Sequence, residues 1–257
     1  MREARFDRRG SVIRWTESGW TGDGTGPATV YVHGLGAMSC VYHAHIAADP
    51  ALSGRRSLLV DLPGHGISDR PQDFGYTLED HADALAAALD GAGVREADLV
   101  GHSMGGSVAV VLAHRRPELV RRLVLTEANL DPHPPATAGS SGIAALTEEE
   151  FVHGDGFSRA LARVGPVWAA TMRLADPLAL HRSATGLTRG TDPTVRRMLM
   201  ESTAERVFLQ GALSGELSGG ETLTAAGVRV ETVPDAGHNV MFDRPDALVR
   251  AIAARPA

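Results

Sequence analysis

Apolar and polar positions along this chain follow two rhythms, short apolar runs of strand length and longer stretches with helical spacing. Ser11-Val12-Ile13-Arg14-Trp15, Ala28-Thr29-Val30-Tyr31-Val32 and Ser57-Leu58-Leu59-Val60 are runs of the first kind. So are Ala97-Asp98-Leu99-Val100, Arg122-Leu123-Val124-Leu125-Thr126, Arg206-Val207-Phe208-Leu209-Gln210-Gly211 and Val228-Arg229-Val230-Glu231-Thr232-Val233. Their length and β-branched content predict strands. Between them the pattern predicts helices: one through the low 40s, an Ala-rich one opened by the capping sequence Thr77-Leu78-Glu79-Asp80 and closed at Gly91 or Gly93, and one after Ser103 that stops near Arg116-Pro117. A last helix begins near Pro245. Strands alternating with helices predict an α/β protein with a doubly wound, mainly parallel sheet.

The texture changes at Asp131. Pro132, Pro134 and Pro135 break regular structure, Ala136 to Gly142 is small and polar, and the Gly22 to Gly26 stretch near the N-terminus has similar turn character. Helical patterns then run over Glu148 to Arg163, Pro166 to Ala175, Pro177 to Leu187 and Asp192 to Glu205. Residues 131–200 are therefore read as an insertion between two parts of one core, 1–130 and 201–257.

Composition narrows the class. A chain of 257 residues is long enough for one sizeable α/β core. The net charge of -6, with no lysine anywhere, argues against nucleic acid as a partner. The lone Cys40 excludes an internal disulfide and fits a reducing compartment. Met1 to Arg9 has no apolar stretch behind its charges, and no segment approaches a membrane span of about 18 apolar residues, so a cytoplasmic protein without membrane attachment is expected. Oligomeric state is not readable. The 11 histidines show no ligand spacing with a carboxylate on a matched element, so neither a metal nor another cofactor is expected.

The chemistry centres on Gly101-His102-Ser103-Met104-Gly105. It lies between a predicted strand and a predicted helix, the setting that turns Gly-x-Ser-x-Gly into a nucleophile elbow. The turn lifts the serine hydroxyl above the sheet, a side chain at Gly101 or Gly105 would strike neighbouring backbone, and the helix N-terminus favours negative charge at Ser103. His102 is expected to point elsewhere by strand alternation.

Val32-His33-Gly34-Leu35-Gly36, Asp61-Leu62-Pro63-Gly64-His65-Gly66-Ile67-Ser68-Asp69, Gly101 to Gly106 and Asp235-Ala236-Gly237-His238 occur in an order that resembles the α/β-hydrolase superfamily over nearly the whole chain outside 131–200. The resemblance implies the α/β-hydrolase fold with a helical cap formed by the insertion. It assigns the oxyanion-binding N–H groups to Leu35 and Met104 and the general base to His238. Most relatives carry the acid after the strand that here ends at Gly211, but Ser214 stands about there and cannot supply a charge. A second arrangement, used by haloalkane dehalogenases, places the acid one strand earlier, where this chain has Glu127; Glu216 and Asp131 are the reserves. A serine nucleophile excludes dehalogenase chemistry itself. Trp168, Met172 and Phe157 are candidate pocket lining.

The implied activity is serine-dependent acyl transfer from a small-molecule or carrier-bound ester or thioester, resolved by water in an esterase or thioesterase. An acyltransferase using an alcohol, amine or thiol acceptor is the first alternative. A hydrolase-fold receptor with little turnover is the second.

Overall fold

The computed structural model describes residues 1–19, 27–132 and 142–254. The expected turn at Gly22 to Gly26 and most of the Pro134 to Gly142 stretch lie outside the described residues. In chain order the elements are β1 (Arg2–Arg5), β2 (Val12–Ser18), β3 (Thr29–Val32), α1 (Ser39–Ala47), β4 (Ser57–Asp61), α2 (Leu78–Gly91), β5 (Ala97–His102), α3 (Met104–Arg115) and β6 (Val120–Thr126). After β6 come α4 (Glu148–Val152), α5 (Gly156–Arg163), α6 (Pro166–Met172), α7 (Pro177–Arg189) and α8 (Val195–Glu201). The chain then continues through β7 (Glu205–Gly211), α9 (Gly220–Ala225), β8 (Arg229–Val233), α10 (Val240–Asp243) and α11 (Pro245–Ala253).

The strands form one sheet in the order β1-β2-β4-β3-β5-β6-β7-β8. β2 runs antiparallel to both β1 and β4, and every pair from β4 to β8 is parallel. β3, β4 and β5 are buried along their whole length, the expected state for strands covered by helices on both faces. Leu85, Leu89, Val108, Val111 and Leu112 of α2 and α3 pack on one face with Leu99, Leu123 and Phe208. Ile46, Leu248 and Ile252 of α1 and α11 pack on the other with Val100, Val124 and Val207. Among the described residues no helix is long and apolar enough to cross a membrane.

Local signals account for the element ends. Thr77 Oγ1 accepts from Asp80 N–H while the Asp80 carboxylate accepts from Thr77 N–H, so α2 opens on a complete capping box. The insertion is more broken than its periodicity suggests. The Glu148 to Arg163 pattern splits into α4 and α5 around Gly154, which sits so close to α4 that an added Cβ would lie 2.6 Å from Glu150 O. The Asp192 to Glu205 pattern yields only α8, because Thr194 caps it through Arg197 N–H and the chain is already extended at Ser202.

A row of buried histidines links the sheet to the insertion. His33 Nδ1 donates to Gly34 O at 2.7 Å and its Nε2 accepts from Leu62 N–H at 3.0 Å, which holds the ring as a neutral tautomer. His33 contacts His65 (ring centres 5.1 Å apart), His65 contacts His81 (6.2 Å), and His81 Nε2 meets Ser183 Oγ of α7 at 2.9 Å. Burial pushes the His33 imidazole down to about 4, and His43 and His65 to about 3. Folded values lie below the ordinary unfolded one, so these groups stabilise the fold above about pH 6.5 and that contribution is lost as pH falls toward about 4. Asp61, buried and pushed up to about 6, works in the opposite sense, one group against five, since burial also holds His81 and His102 well below the usual range. The balance of these directions makes the fold less stable in acid than at neutral pH. Circular dichroism against pH is expected to show cooperative unfolding near pH 4–5. An unchanged thermal midpoint from pH 7 to pH 4 would refute this reading of the histidines.

Candidate active site

The end of β5 delivers Ser103. It is the residue before α3, with φ 50° and ψ −122°, a left-handed conformation that costs a non-glycine residue about 1–3 kcal/mol. The surroundings enforce it. Ser103 N–H donates to Thr126 O at the end of β6 at 2.9 Å, and Gly106 N–H and Ser107 N–H return to Ser103 O. A Cβ at Gly105 would lie 2.3 Å from His33 O, and one at Gly101 would lie 2.6 Å from Gly106 Cα, so α3 can rest against β3 and β5 only through glycines.

The loop after β3 faces this turn. A Cβ at Gly34 would lie 3.2 Å from Ser103 Cβ, which places the Gly34-Leu35 backbone beside the serine. Neither Leu35 N–H nor Met104 N–H, the latter in the first turn of α3, has an acceptor among the described residues. Trp168 of α6 donates its indole N–H to Leu35 O at 2.8 Å, so the insertion grips the same loop.

Glu127 follows β6 with φ 51°, pinned by its own N–H to Leu209 O at 3.1 Å. Its carboxylate is nearly buried: Oε1 accepts from Gly211 N–H at 2.6 Å, and Oε2 lies 3.5 Å from His238 Nδ1. That spacing is longer than a tight charge-assisted hydrogen bond of about 2.7–2.9 Å, yet one carboxylate oxygen is left facing the imidazole. His238 lies on the loop after β8, half-exposed. Asp243 holds this loop through Gly237 N–H at 2.9 Å, and His102 Nε2 holds it by donating to His238 O at 3.0 Å.

These groups line a cavity of about 700 Å³ with Tyr42, Asn129, Leu130, Asp131, Leu187, Thr188, Arg196, Gln210, Glu216 and Leu217 among its walls. The structure therefore gathers Ser103, Glu127, His238, Leu35 and Trp168 around one space. The other expected lining residues are elsewhere. Met172 is fully buried, its Cε close to Gly36 of the loop after β3, and Phe157 packs edge-on against Phe151. His102, expected to point away, stacks on Tyr42 and borders the cavity. Burial drives its imidazole well below the usual range, and Nε2 is committed to His238 O, so it braces the loop rather than taking protons. Of the reserve acids, Asp131 is paired to Arg196 (2.7 Å), and Glu216 lines the cavity with no ion pair among the described residues.

Asn129 was not singled out by the sequence. The Ser103 hydroxyl donates to its Oδ1 at 3.3 Å, and Ser107 Oγ of α3 donates to its carbonyl at 2.6 Å. The one available signal was its place two residues beyond Glu127 on the same loop.

A model of the alpha/beta hydrolase fold matches residues 27–151. An esterase of Mycobacterium tuberculosis is 28% identical over 94% of this chain and 84% of its own length. The 2-(acetamidomethylene)succinate hydrolase of Mesorhizobium japonicum is 29% identical over 89% of this chain and 87% of its own length. Among solved structures, a thermophilic esterase from Thermogutta terrifontis superposes with a TM-score of 0.78 over 98% of this chain and 96% of its own, at 21% identity, and shows the same fold. The chain has the α/β-hydrolase fold.

Proposed function

We propose that the protein is a serine esterase. The observation that carries this is the strained Ser103 at the head of α3, sharing a cavity with an imidazole whose far nitrogen faces a nearly buried carboxylate. On this reading His238 takes the Ser103 proton as the hydroxyl attacks an ester carbonyl, and Glu127 holds the ring and stabilises imidazolium. Leu35 and Met104 N–H groups receive the oxyanion, which the α3 N-terminus also favours. His238 then protonates the departing alcohol, and water activated by the same imidazole releases the acid from Ser103. The inserted helices serve as a cap that supplies the acyl-binding wall through Trp168 and Leu187. Water as acceptor accords with the hydrolase and esterase names of the relatives.

In the resting geometry the Ser103 proton points to Asn129, so substrate entry must turn the hydroxyl toward His238. The test is release of 4-nitrophenol and free acid in equal amounts from 4-nitrophenyl hexanoate. Binding with thermal stabilisation but no release would favour a receptor instead.

Trp168 gives a second check on the oxyanion assignment. Trp168→Phe keeps a ring in the cavity wall and loses only the donor to Leu35 O, a bond worth about 0.5–1.5 kcal/mol net. If that bond positions the oxyanion loop, kcat falls by about 3- to 10-fold with KM nearly unchanged, since the loss appears in the transition state. A change confined to KM would assign Trp168 to substrate packing alone.

A further inference from the structure

We propose that the Asp131–Arg196 pair makes this cavity selective for uncharged acyl groups, by withholding the one guanidinium among its described lining residues from any ligand. The inference rests on the esterase reading above and specifies its substrate class.

Arg196 opens α8 and borders the cavity, where a cation would ordinarily recruit a carboxylate by a two-point fork. Two of the three nitrogens of this fork are already engaged. Nε lies 3.0 Å from both oxygens of Asp131, and Nη2 lies 2.7 Å from Asp131 Oδ2 and 2.9 Å from Ser218 O. Nη1 makes no hydrogen bond among the described residues, but it is closed off from the cavity by burial beneath Gly219, where an added Cβ would be only 3.0 Å away. The backbone cannot swing out either, because Arg196 N–H donates to Leu130 O at 2.9 Å.

What remains for a ligand is negative. Glu127, Asp131 and Glu216 line the cavity against Arg196 alone, three carboxylates to one guanidinium, a formal charge of −2 with His238 neutral. Glu216 has no ion pair among the described residues. The chain has no lysine, and residues 133–141 contain no arginine, so that segment brings no permanent positive charge to offset the balance. An acyl chain ending in a carboxylate therefore meets uncompensated repulsion, which at the effective dielectric of a partly buried site amounts to a factor of about 10–100 in binding. The same field favours departure of the carboxylate product once it forms.

The experiment compares kcat/KM for three esters of one acyl length on the full chain at pH 8: 4-nitrophenyl hexanoate, mono-4-nitrophenyl adipate, and the 6-trimethylammonio analogue of the hexanoate. Wild type is expected to prefer hexanoate over adipate by about 30-fold or more, with the gap narrowing in high salt, and to accept the cationic ester at least as well as the adipate. Asp131→Asn frees the fork and is expected to narrow the hexanoate-to-adipate ratio about 10-fold or more. Arg196→Met leaves Asp131 unopposed and should not narrow it. If Asp131→Asn fails to fold, Glu216→Gln, at an exposed position, decides the matter through a few-fold narrowing in the same direction. Equal turnover of adipate and hexanoate by wild type would overturn the inference while leaving the esterase reading intact. So would a ratio unmoved in a folded Asp131→Asn. No turnover of any of the three esters would sink the esterase reading, and this inference with it.

Discussion

Ser103→Ala is expected to leave a folded protein with kcat on a 4-nitrophenyl ester reduced by about 10⁵- to 10⁶-fold, the scale seen when the nucleophile is removed from a serine triad. The fold should survive because the Ser103 side chain makes a single 3.3 Å hydrogen bond, to Asn129, while the elbow itself is held by main-chain bonds to Thr126 and from Gly106 and Ser107. Alanine suffers the same left-handed strain that serine already bears, so stability should shift by less than about 1 kcal/mol. Thermal unfolding and steady-state rates on the same preparation decide it. Residual activity within tenfold of wild type in a folded variant would remove Ser103 from the mechanism.

Glu127→Gln is the second large effect. The amide oxygen of glutamine can still accept from Gly211 N–H, as Oε1 does now at 2.6 Å, so the loop stays anchored. What is lost is the negative charge 3.5 Å from His238 Nδ1, and the variant's amide N–H can face the ring and favour the wrong tautomer. Replacing the acid of a serine triad by its amide costs about 10⁴ in kcat, and a loss of about 10³–10⁴ is expected here at neutral pH. Glu216→Gln should lose less than about tenfold on the same neutral ester, since Glu216 lies in the wall with no contact to His238. If Glu216→Gln is instead the damaging change, the acid has been placed on the wrong loop.

The chain's linear pattern carried the sheet and the elbow because both rest on short-range signals. The strand-turn-helix around Ser103 requires glycine where helix meets strand, and the Thr77 to Asp80 capping box is a contact between residues three apart. β1 escaped notice for the opposite reason. Arg2-Glu3-Ala4-Arg5 is an edge strand whose side chains mostly face solvent, and it is defined by pairing with Val12 to Trp15 rather than by apolar alternation. The wall of the cavity was least legible. Trp168 and Met172 both read as apolar positions of one helix, and only its rotation against the core, with Met172 inward and Trp168 reaching Leu35, separates their roles. Arg196 and Asp131 are 65 positions apart, and nothing between them announces that the two pair. Glu127 entered only through the resemblance to an arrangement that places the acid one strand earlier; in the fold its nearly buried carboxylate accepts from the N–H of Gly211, the residue that closes β7.

The most direct measurement is the intact mass of the protein after exposure to a fluorophosphonate, made on wild type, Ser103→Ala and Glu127→Gln in parallel. A single phosphonyl adduct on wild type, absent from Ser103→Ala and formed much more slowly by Glu127→Gln, is the predicted result. An adduct that persists in Ser103→Ala, or no adduct on folded wild type, would contradict an activated serine at the head of α3.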